Sequence, residues 1–190
     1  MSHEVRTPIN GITGMAQILL DAELHPPFDG YLRALQKACG LLVGVVNNVL
    51  DFARLSARRL QIEPETFHLR AMVDETLEPQ RLVAHNKGLA FTVEIDPALP
   101  AWIVGDRLRI AQVLINLVSN AIKFTSSGSI SVILGAVLER RMQIVVKDTG
   151  IGIDETKQEL IFQPFSQAEA SYSRQYGGSG LGLSICQELV

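Results

Sequence analysis

At 190 residues, with 47% hydrophobic residues and a net charge of -3, the chain can fill one large or two small packed domains. No basic run points to nucleic acid, no apolar stretch reaches the roughly 18 residues of a membrane span, and no signal peptide opens the chain. The segment is therefore expected to touch neither nucleic acid nor membrane. Cys39 and Cys186 fall in apolar, helix-like segments and read as reduced core residues, which favours a cytoplasmic setting over a disulfide framework. The histidines lack the spacing of a zinc site.

In chain order, the first sixty residues carry a heptad-like seam. Val5, Ile9, Ile12, Ala16 and Leu19 alternate at steps of four and three. Pro26-Pro27 interrupts the helix, and Phe28, Leu32, Leu35, Cys39, Leu42, Val46, Val49 and Ala53 resume the seam. Two helices with narrow apolar seams form an antiparallel hairpin, and two hairpins cover both seams as a four-helix bundle. A homodimer is the economical arrangement; the alternative is that both seams pack on the downstream domain.

Glu63-Pro64-Glu65 breaks the helical pattern. The expected boundaries are a dimerisation domain over 1–62 and a mixed domain over 63–190, an α+β chain as a whole. Thr66–Leu69 reads as a short strand, Arg70–His85 as a helix and Gly88–Ile95 as an alternating strand. Arg107–Phe124 is a long helix closed by Ser126-Ser127-Gly128. Ser129–Val137 and Met142–Asp148 read as a hairpin, and the residues from Leu181 to Val190 as an amphipathic helix. Helical periodicity already runs at Met1 and stops at Val190 without a terminator, so both ends read as cut.

Four clusters carry candidate chemistry. His3 lies just beyond the apolar seam with Glu4 beside it, and Thr7 sits one turn further on the same face. An imidazole is largely neutral at cytoplasmic pH and nucleophilic, and an adjacent carboxylate can take its ring proton. An exposed His-Glu pair taken alone is far more often a solvated surface. On the helix Arg107–Phe124, Leu108, Ala111, Ile115, Val118 and Ile122 are assigned to the core face, while Asn116, Asn120 and Lys123 form a second stripe. Asparagine is a poor helix former, and two amides with an ammonium suit phosphate oxygens and hydrated Mg²⁺. Polar contacts to a neighbouring loop are the plainer reading.

Asp148 shares a strand face with Ile144 and Val146, so an inward carboxylate needs hydrogen-bond donors, of which an adenine amino group is one. Thr149-Gly150-Ile151-Gly152 follows as a turn that permits close approach, although an ordinary Asp-Thr-Gly turn fits equally. Ser166 to Gly180 has the polar composition of a mobile flap, and Gly178, Gly180 and Gly182 lead into a helix whose N–H groups suit phosphate. The dinucleotide fingerprint, the P-loop pattern and the His-Arg-Asp and Asp-Phe-Gly triplets of other kinases are absent.

Together these segments resemble the sensor histidine kinases of two-component signalling, especially those of hybrid sensors, over essentially the whole chain. Ser2-His3-Glu4-Val5-Arg6-Thr7-Pro8 resembles the H box, which implies that His3 accepts the phosphoryl group, Glu4 acts as base and Thr7 assists hydrolysis of the phosphorylated receiver. The segment Gln112 to Thr125 resembles the N box, implying that Asn120, with Asn116 nearby, holds Mg²⁺, Lys123 touches phosphate and Phe124 flanks the base. Asp148-Thr149-Gly150-Ile151-Gly152 resembles the G1 box, with Asp148 as adenine reader. Phe162-Gln163-Pro164-Phe165 is similar to the F box, and Gly178-Ser179-Gly180-Leu181-Gly182-Leu183 to the G2 box.

The resemblance implies a phosphotransfer hairpin followed by an α/β sandwich of the Hsp90, gyrase B and MutL kind. It also implies ATP and Mg²⁺ as ligands, a homodimer, and a response-regulator receiver as partner. The activity implied is autophosphorylation and transfer to an aspartate, in a parent that is a candidate for membrane anchoring. Three departures stand out. Ala57-Arg58-Arg59 replaces a glycine-bearing turn, the first helix lacks its upstream half, and no hairpin follows the last helix. The sheet is therefore expected to lack its final strands.

Overall fold

The computed structural model describes residues 11, 12, 14, 15, 18, 29–56, 61–137, 141–166 and 180–190. His3, Glu4, Thr7 and Gly178 lie outside them. The chain divides into two compact units, Met1–Leu60 with Ile161–Leu181, and Gln61–Leu160 with Gly182–Val190.

In the first unit, residues 11, 12, 14, 15 and 18 are helical, and α1 runs over Asp29–Ser56. A Cβ at Gly11 would lie 3.5 Å from the Cβ of Ala38, so the two segments come close there. The seam on α1 is split. Leu35, Leu42 and Val49 are half-buried, whereas Cys39, Val46 and Ala53, also seven residues apart, are exposed. Cys39 was expected in a core; in the single chain it faces out. A strictly seven-residue apolar repeat is wider than one neighbouring helix covers, which leaves one edge bare.

The second unit begins with β1 (Glu65–His68) and α2 (Leu69–Asn86). His68 ends the strand and caps the helix, its Nδ1 accepting from Ala71 N–H at 3.3 Å. β2 (Ala90–Ile95) and β3 (Trp102–Gly105) follow, then α3 (Arg107–Phe124), β4 (Ser129–Val137), β5 (Arg141–Asp148) and α4 (Gly182–Leu189). Asp106 caps α3 by accepting from Arg109 N–H at 3.0 Å, and its second oxygen takes Glu63 N–H at 3.1 Å.

β2 runs parallel to β4, which pairs antiparallel with β5. A parallel pair requires a crossover, and β3 with α3 supplies it. β1 and β3 form a separate antiparallel pair, Phe67 opposite Ile103. The helices α2 and α3 bury their apolar faces with the inward residues of the three-stranded sheet. Leu69, Leu77, Leu114, Val118, Ile130, Val132 and Leu134 are almost wholly enclosed, at about 1.5–3 kcal/mol for each large side chain.

Two expectations need correction. Leu108 and Ile115 do not face the core; they are 69% and 40% exposed, and Val113, Leu114, Val118, Ala121 and Ile122 are buried instead. The stripe is rotated by about one residue, because α3 has α2 on one flank and the sheet on the other. The strand Trp102–Gly105 was not anticipated. Among the described residues no helix is long and apolar enough to cross a membrane.

Candidate functional site

The C-terminal end of α3 and the turn after β5 meet in the second unit. The reason is local. Gly128 reverses the chain at φ +110°, and the short link Thr125–Gly128 returns it directly into β4. Because β4 pairs with β5 up to Ile130 opposite Asp148, the end of β5 is carried back beside the end of α3.

Three contacts fix this junction. A Cβ on Gly150 would lie 2.5 Å from the Phe124 carbonyl oxygen and 2.8 Å from Asp148 Oδ1, so only glycine fits. Ile151 N–H reaches the same Phe124 carbonyl at 3.4 Å. Thr149 Oγ1 accepts from Ser129 N–H at 3.0 Å, and a Cβ on Gly128 would stand 2.1 Å from that hydroxyl oxygen. The hydroxyl of Thr149 is thus a fastener between β4 and the turn, a role that sequence reading missed although the residue lay inside a quoted motif.

Asp148 does not point into the core. It is exposed at the end of β5, and its Oδ1 accepts Gly150 N–H at 2.9 Å. Ile144 and Val146 share its strand face, and both are themselves only half-buried, so this face is not sealed around the carboxylate. The carboxylate is held in place by its own turn, and its second oxygen accepts from no other described residue.

The polar stripe of α3 divides into two kinds of residue. Asn116 is engaged: its Nδ2 donates to the Gly182 carbonyl at 3.3 Å and to Cys186 Sγ at 3.7 Å. Gly182 has no Cβ where one would come within 3.4 Å of the Asn116 amide oxygen, which lets the start of α4 approach α3 closely. Burial raises the Cys186 thiol above its ordinary value, offset in part by the Asn116 contact. The thiol therefore stays protonated at neutral pH and is a poor nucleophile. Asn120 is different. It is half-buried, one turn nearer the Asp148 turn, and its amide bonds to no other described residue.

Lys123 sets its ammonium 4.8 Å from the centre of the half-buried Phe124 ring. Among the described residues no cluster of His, Cys, Asp or Glu has the makings of a metal site. A metal here would rely on single oxygens such as Asn120 Oδ1 together with oxygens of a ligand, which suits hard, heavily hydrated Mg²⁺.

Gly152 contrasts with Gly150. It adopts φ +71°, and a Cβ there would meet nothing within 4 Å. Gly180 and Leu181 belong to the first unit. Gly180 adopts φ +66° with its virtual Cβ 2.9 Å from the Phe165 carbonyl carbon, and its carbonyl accepts from Phe165 N–H at 3.0 Å. Leu181 is fully buried.

A helix end with an unspent amide, an ammonium beside an aromatic ring, and an aspartate-glycine turn locked against it lie together on the mixed α/β unit. Comparison with known proteins gives the class. The family described as "Histidine kinase-, DNA gyrase B-, and HSP90-like ATPase" matches residues 105–190, and "His Kinase A (phospho-acceptor) domain" matches residues 1–58. The signal transduction histidine-protein kinase BarA of Escherichia coli (strain K12) is 43% identical over 194 residues, covering 100% of this chain and 21% of BarA. The chain thus spans about a fifth of that relative.

Among solved structures, full-length ShkA in complex with AMPPNP is 34% identical with a TM-score of 0.75, covering 99% of this chain and 39% of ShkA. The catalytic domain of histidine kinase ThkA is 31% identical with a TM-score of 0.57, covering 67% of this chain and 80% of that domain. ThkA in complex with the response regulator protein TrrA is 27% identical with a TM-score of 0.66, covering 100% of this chain and 52% of ThkA. The chain belongs to the histidine kinases.

Proposed function

We propose that this chain is the kinase segment of a two-component sensor, which transfers the γ-phosphoryl group of ATP to His3 and then to an aspartate of a response-regulator receiver. The observation that carries this reading is the junction of α3 with the Asp148–Gly150 turn. It holds one carboxylate oxygen and one asparagine amide uncommitted within a locked backbone. The proposed domains are 1–62 for dimerisation and phosphotransfer and 63–190 for nucleotide binding.

In the proposed mechanism the free oxygen of Asp148 accepts the adenine amino group, and Gly150 and Gly152 keep the turn clear for the base. Phe124 flanks the ring, and Lys123 meets phosphate oxygens. Asn120 would hold Mg²⁺, which neutralises charge on the transferring phosphoryl group; Asn116 supports the site by fixing α4. Gly178, Gly180, Leu181 and Gly182 form the phosphate side. A ring nitrogen of His3 attacks the γ-phosphorus, the bond from that phosphorus to the bridging oxygen breaks, and ADP leaves. The proton on the other ring nitrogen passes to Glu4. Thr7 orients water when the phosphorylated receiver is hydrolysed.

The exposed stripe Cys39, Val46 and Ala53 at heptad spacing supports a homodimer, since a second hairpin would cover it. The proposed use of ATP supports a cytoplasmic side for this segment, whether or not the parent is membrane-anchored.

The test uses γ-labelled ATP on the parent protein. His3→Gln should abolish acid-labile, alkali-stable label while leaving ATP affinity within about twofold, a shift near 0.4 kcal/mol. Asp148→Asn should weaken ATP binding and narrow its margin over GTP, because guanine presents a carbonyl where adenine presents an amino group. Label persisting in His3→Gln would place the acceptor elsewhere. Normal ATP affinity in Asp148→Asn would remove the adenine contact. ATP binding without any label would leave a dimerising nucleotide-binding module.

A further inference from the structure

The last turn of α3 carries Asn120, Lys123 and Phe124, and it is the part of the helix whose carbonyls have no partner within the helix. Three of them, and the carbonyl of the C-cap Thr125, have identified donors. The Ala121 carbonyl receives Thr125 N–H at 3.1 Å, and the Phe124 carbonyl receives Ile151 N–H from the Asp148 turn. The Ile122 and Thr125 carbonyls are taken by a side chain from another element. Lys87 Nζ donates to Ile122 O at 2.7 Å and to Thr125 O at 3.4 Å.

Lys87 is well placed to do this. It is the C-cap of α2, with its N–H bonded to Val83 O at 3.2 Å and Ala84 O at 3.1 Å, and Gly88 follows at φ +73°. The backbone of Lys87 is therefore pinned to one helix while its ammonium spans to the negative end of the next. A cation there is favoured by the helix dipole as well as by the two carbonyls. Removing it takes away the hydrogen bonds to the Ile122 and Thr125 carbonyls and leaves the Ile151 N–H contact at 3.4 Å as the other hydrogen bond given for this helix end from outside α3.

We propose that Lys87 is a positioning residue for the nucleotide site. It acts through the end of α3, keeping Asn120, Lys123 and Phe124 in register with the Asp148–Gly150 turn without itself touching ATP. The inference rests on the assignment of that junction as the ATP site. A frayed helix end must be reordered on binding, so the population of the competent state is taxed and apparent affinity falls. The step of bond exchange at His3 lies elsewhere and is unaffected once ATP is bound.

The experiment measures ATP affinity by titration calorimetry, KM and kcat of autophosphorylation, and amide hydrogen exchange without nucleotide, for Lys87→Met and Lys87→Arg in the parent protein. Met keeps the aliphatic stem and removes the charge. Lys87→Met should weaken ATP binding and raise KM by about two- to fivefold, the worth of a charge at a helix end. The kcat should stay unchanged, with faster exchange confined to residues 121–125 and 149–151. Lys87→Arg should restore most of the affinity.

A lower melting temperature with unchanged ATP affinity would overturn the proposal, as would an affinity loss that Arg does not rescue. Uniformly faster exchange across α2 and the sheet would mark a general packing role and overturn it too. If wild-type protein fails to bind ATP, the site assignment falls first, and the role of Lys87 falls with it; the distinction is visible before any variant is compared.

Discussion

The turn after β5 has two halves built on opposite principles. From Asp148 to Gly150 the backbone is locked: Thr149 fastens to β4, Asp148 accepts Gly150 N–H through one oxygen, and Gly150 presses on the Phe124 carbonyl. From Ile151 to Asp154 the chain is open. Ile151 and Ile153 are 59% and 52% exposed, and nothing stands within 4 Å of a Cβ at Gly152. One motif thus holds two glycines for two reasons. Gly150 is required by its neighbours in the fold, Gly152 by its own backbone dihedral and by the space it leaves. Such a pairing is what a binding turn needs, a rigid half to set the contact and an unfilled half to receive the ligand.

The largest expected effect comes from breaking the committed half. Gly150→Ala places a methyl group against a backbone carbonyl that cannot swing aside, because it ends a packed helix. Overpacking of this kind costs about 1–3 kcal/mol. The urea midpoint should fall accordingly, and ATP affinity should fall with it, since the Asp148 carboxylate lies on the other side of the same virtual Cβ. A Gly150→Ala variant with wild-type stability would mean that α3 and the turn separate readily, and the rigid half would not be rigid.

The sequence made some of this legible and hid the rest for physical reasons. The helix Arg107–Phe124 was read to the residue, with the Ser126-Ser127-Gly128 run closing it; the structure adds the Asp106 cap that opens it. The paired strands after it were clear from period-two alternation, with β5 starting one residue early at Arg141. The strand Trp102–Gly105 was invisible: Trp102-Ile103-Val104 is apolar throughout, yet Trp102 and Val104 are 63% and 73% exposed, so no alternation marks the buried face. The core face of α3 was misjudged for a similar reason, since Leu108 and Ile115 are apolar but turned outward.

At the candidate site, residue identities and order could be read from motifs, but commitments could not. That Asn116 is engaged with Gly182 and Cys186 while Asn120 is not depends on a helix sixty-six residues away in sequence. The clamp from Lys87 likewise joins positions thirty-five apart. Asp148 was expected to be buried because its strand face is apolar; it is exposed, and Ile144 and Val146 on that face are themselves only half-buried. His3, Glu4, Thr7 and Gly178 lie outside the described residues, so their geometry adds nothing to this balance.

An intermediate effect should come from the open half. Gly152→Ala forces an L-residue to φ +71° but meets no neighbour, so stability should fall by only about 1 kcal/mol from backbone strain. If the empty space receives nucleotide, ATP affinity should fall further than stability does, which separates this variant from Gly150→Ala. Thermal melts with and without ATP measure both. Equal losses in the two readouts would mean that the open space is solvent and not part of the site.

The smallest effect belongs to Asp154, where the open half ends. Its carboxylate accepts the Thr156 hydroxyl and the Thr156 N–H, the latter at 2.9 Å, and it opens the 3-10 turn Glu155–Lys157. The Thr156 hydroxyl contributes most and its N–H next; against the opposing effect of desolvation, and with a lesser contribution from the charge of Lys157, they hold this carboxyl below its ordinary value. A folded-state pKa below the unfolded one means that the ionised form is the better bound. The stabilisation is therefore fully present above the ordinary value of ~3.9 and is lost as pH falls through the lowered folded value. Asp154→Asn removes the titration while keeping one acceptor oxygen. The wild type should melt slightly above the variant at pH 6, and the gap should close as pH is lowered below about 4. Because the group is fully exposed, solvent screens the contribution and the gap should be small at every pH. A gap that widens on acidification would reverse the sign and show that the carboxylate, not its protonated form, is disfavoured in the turn.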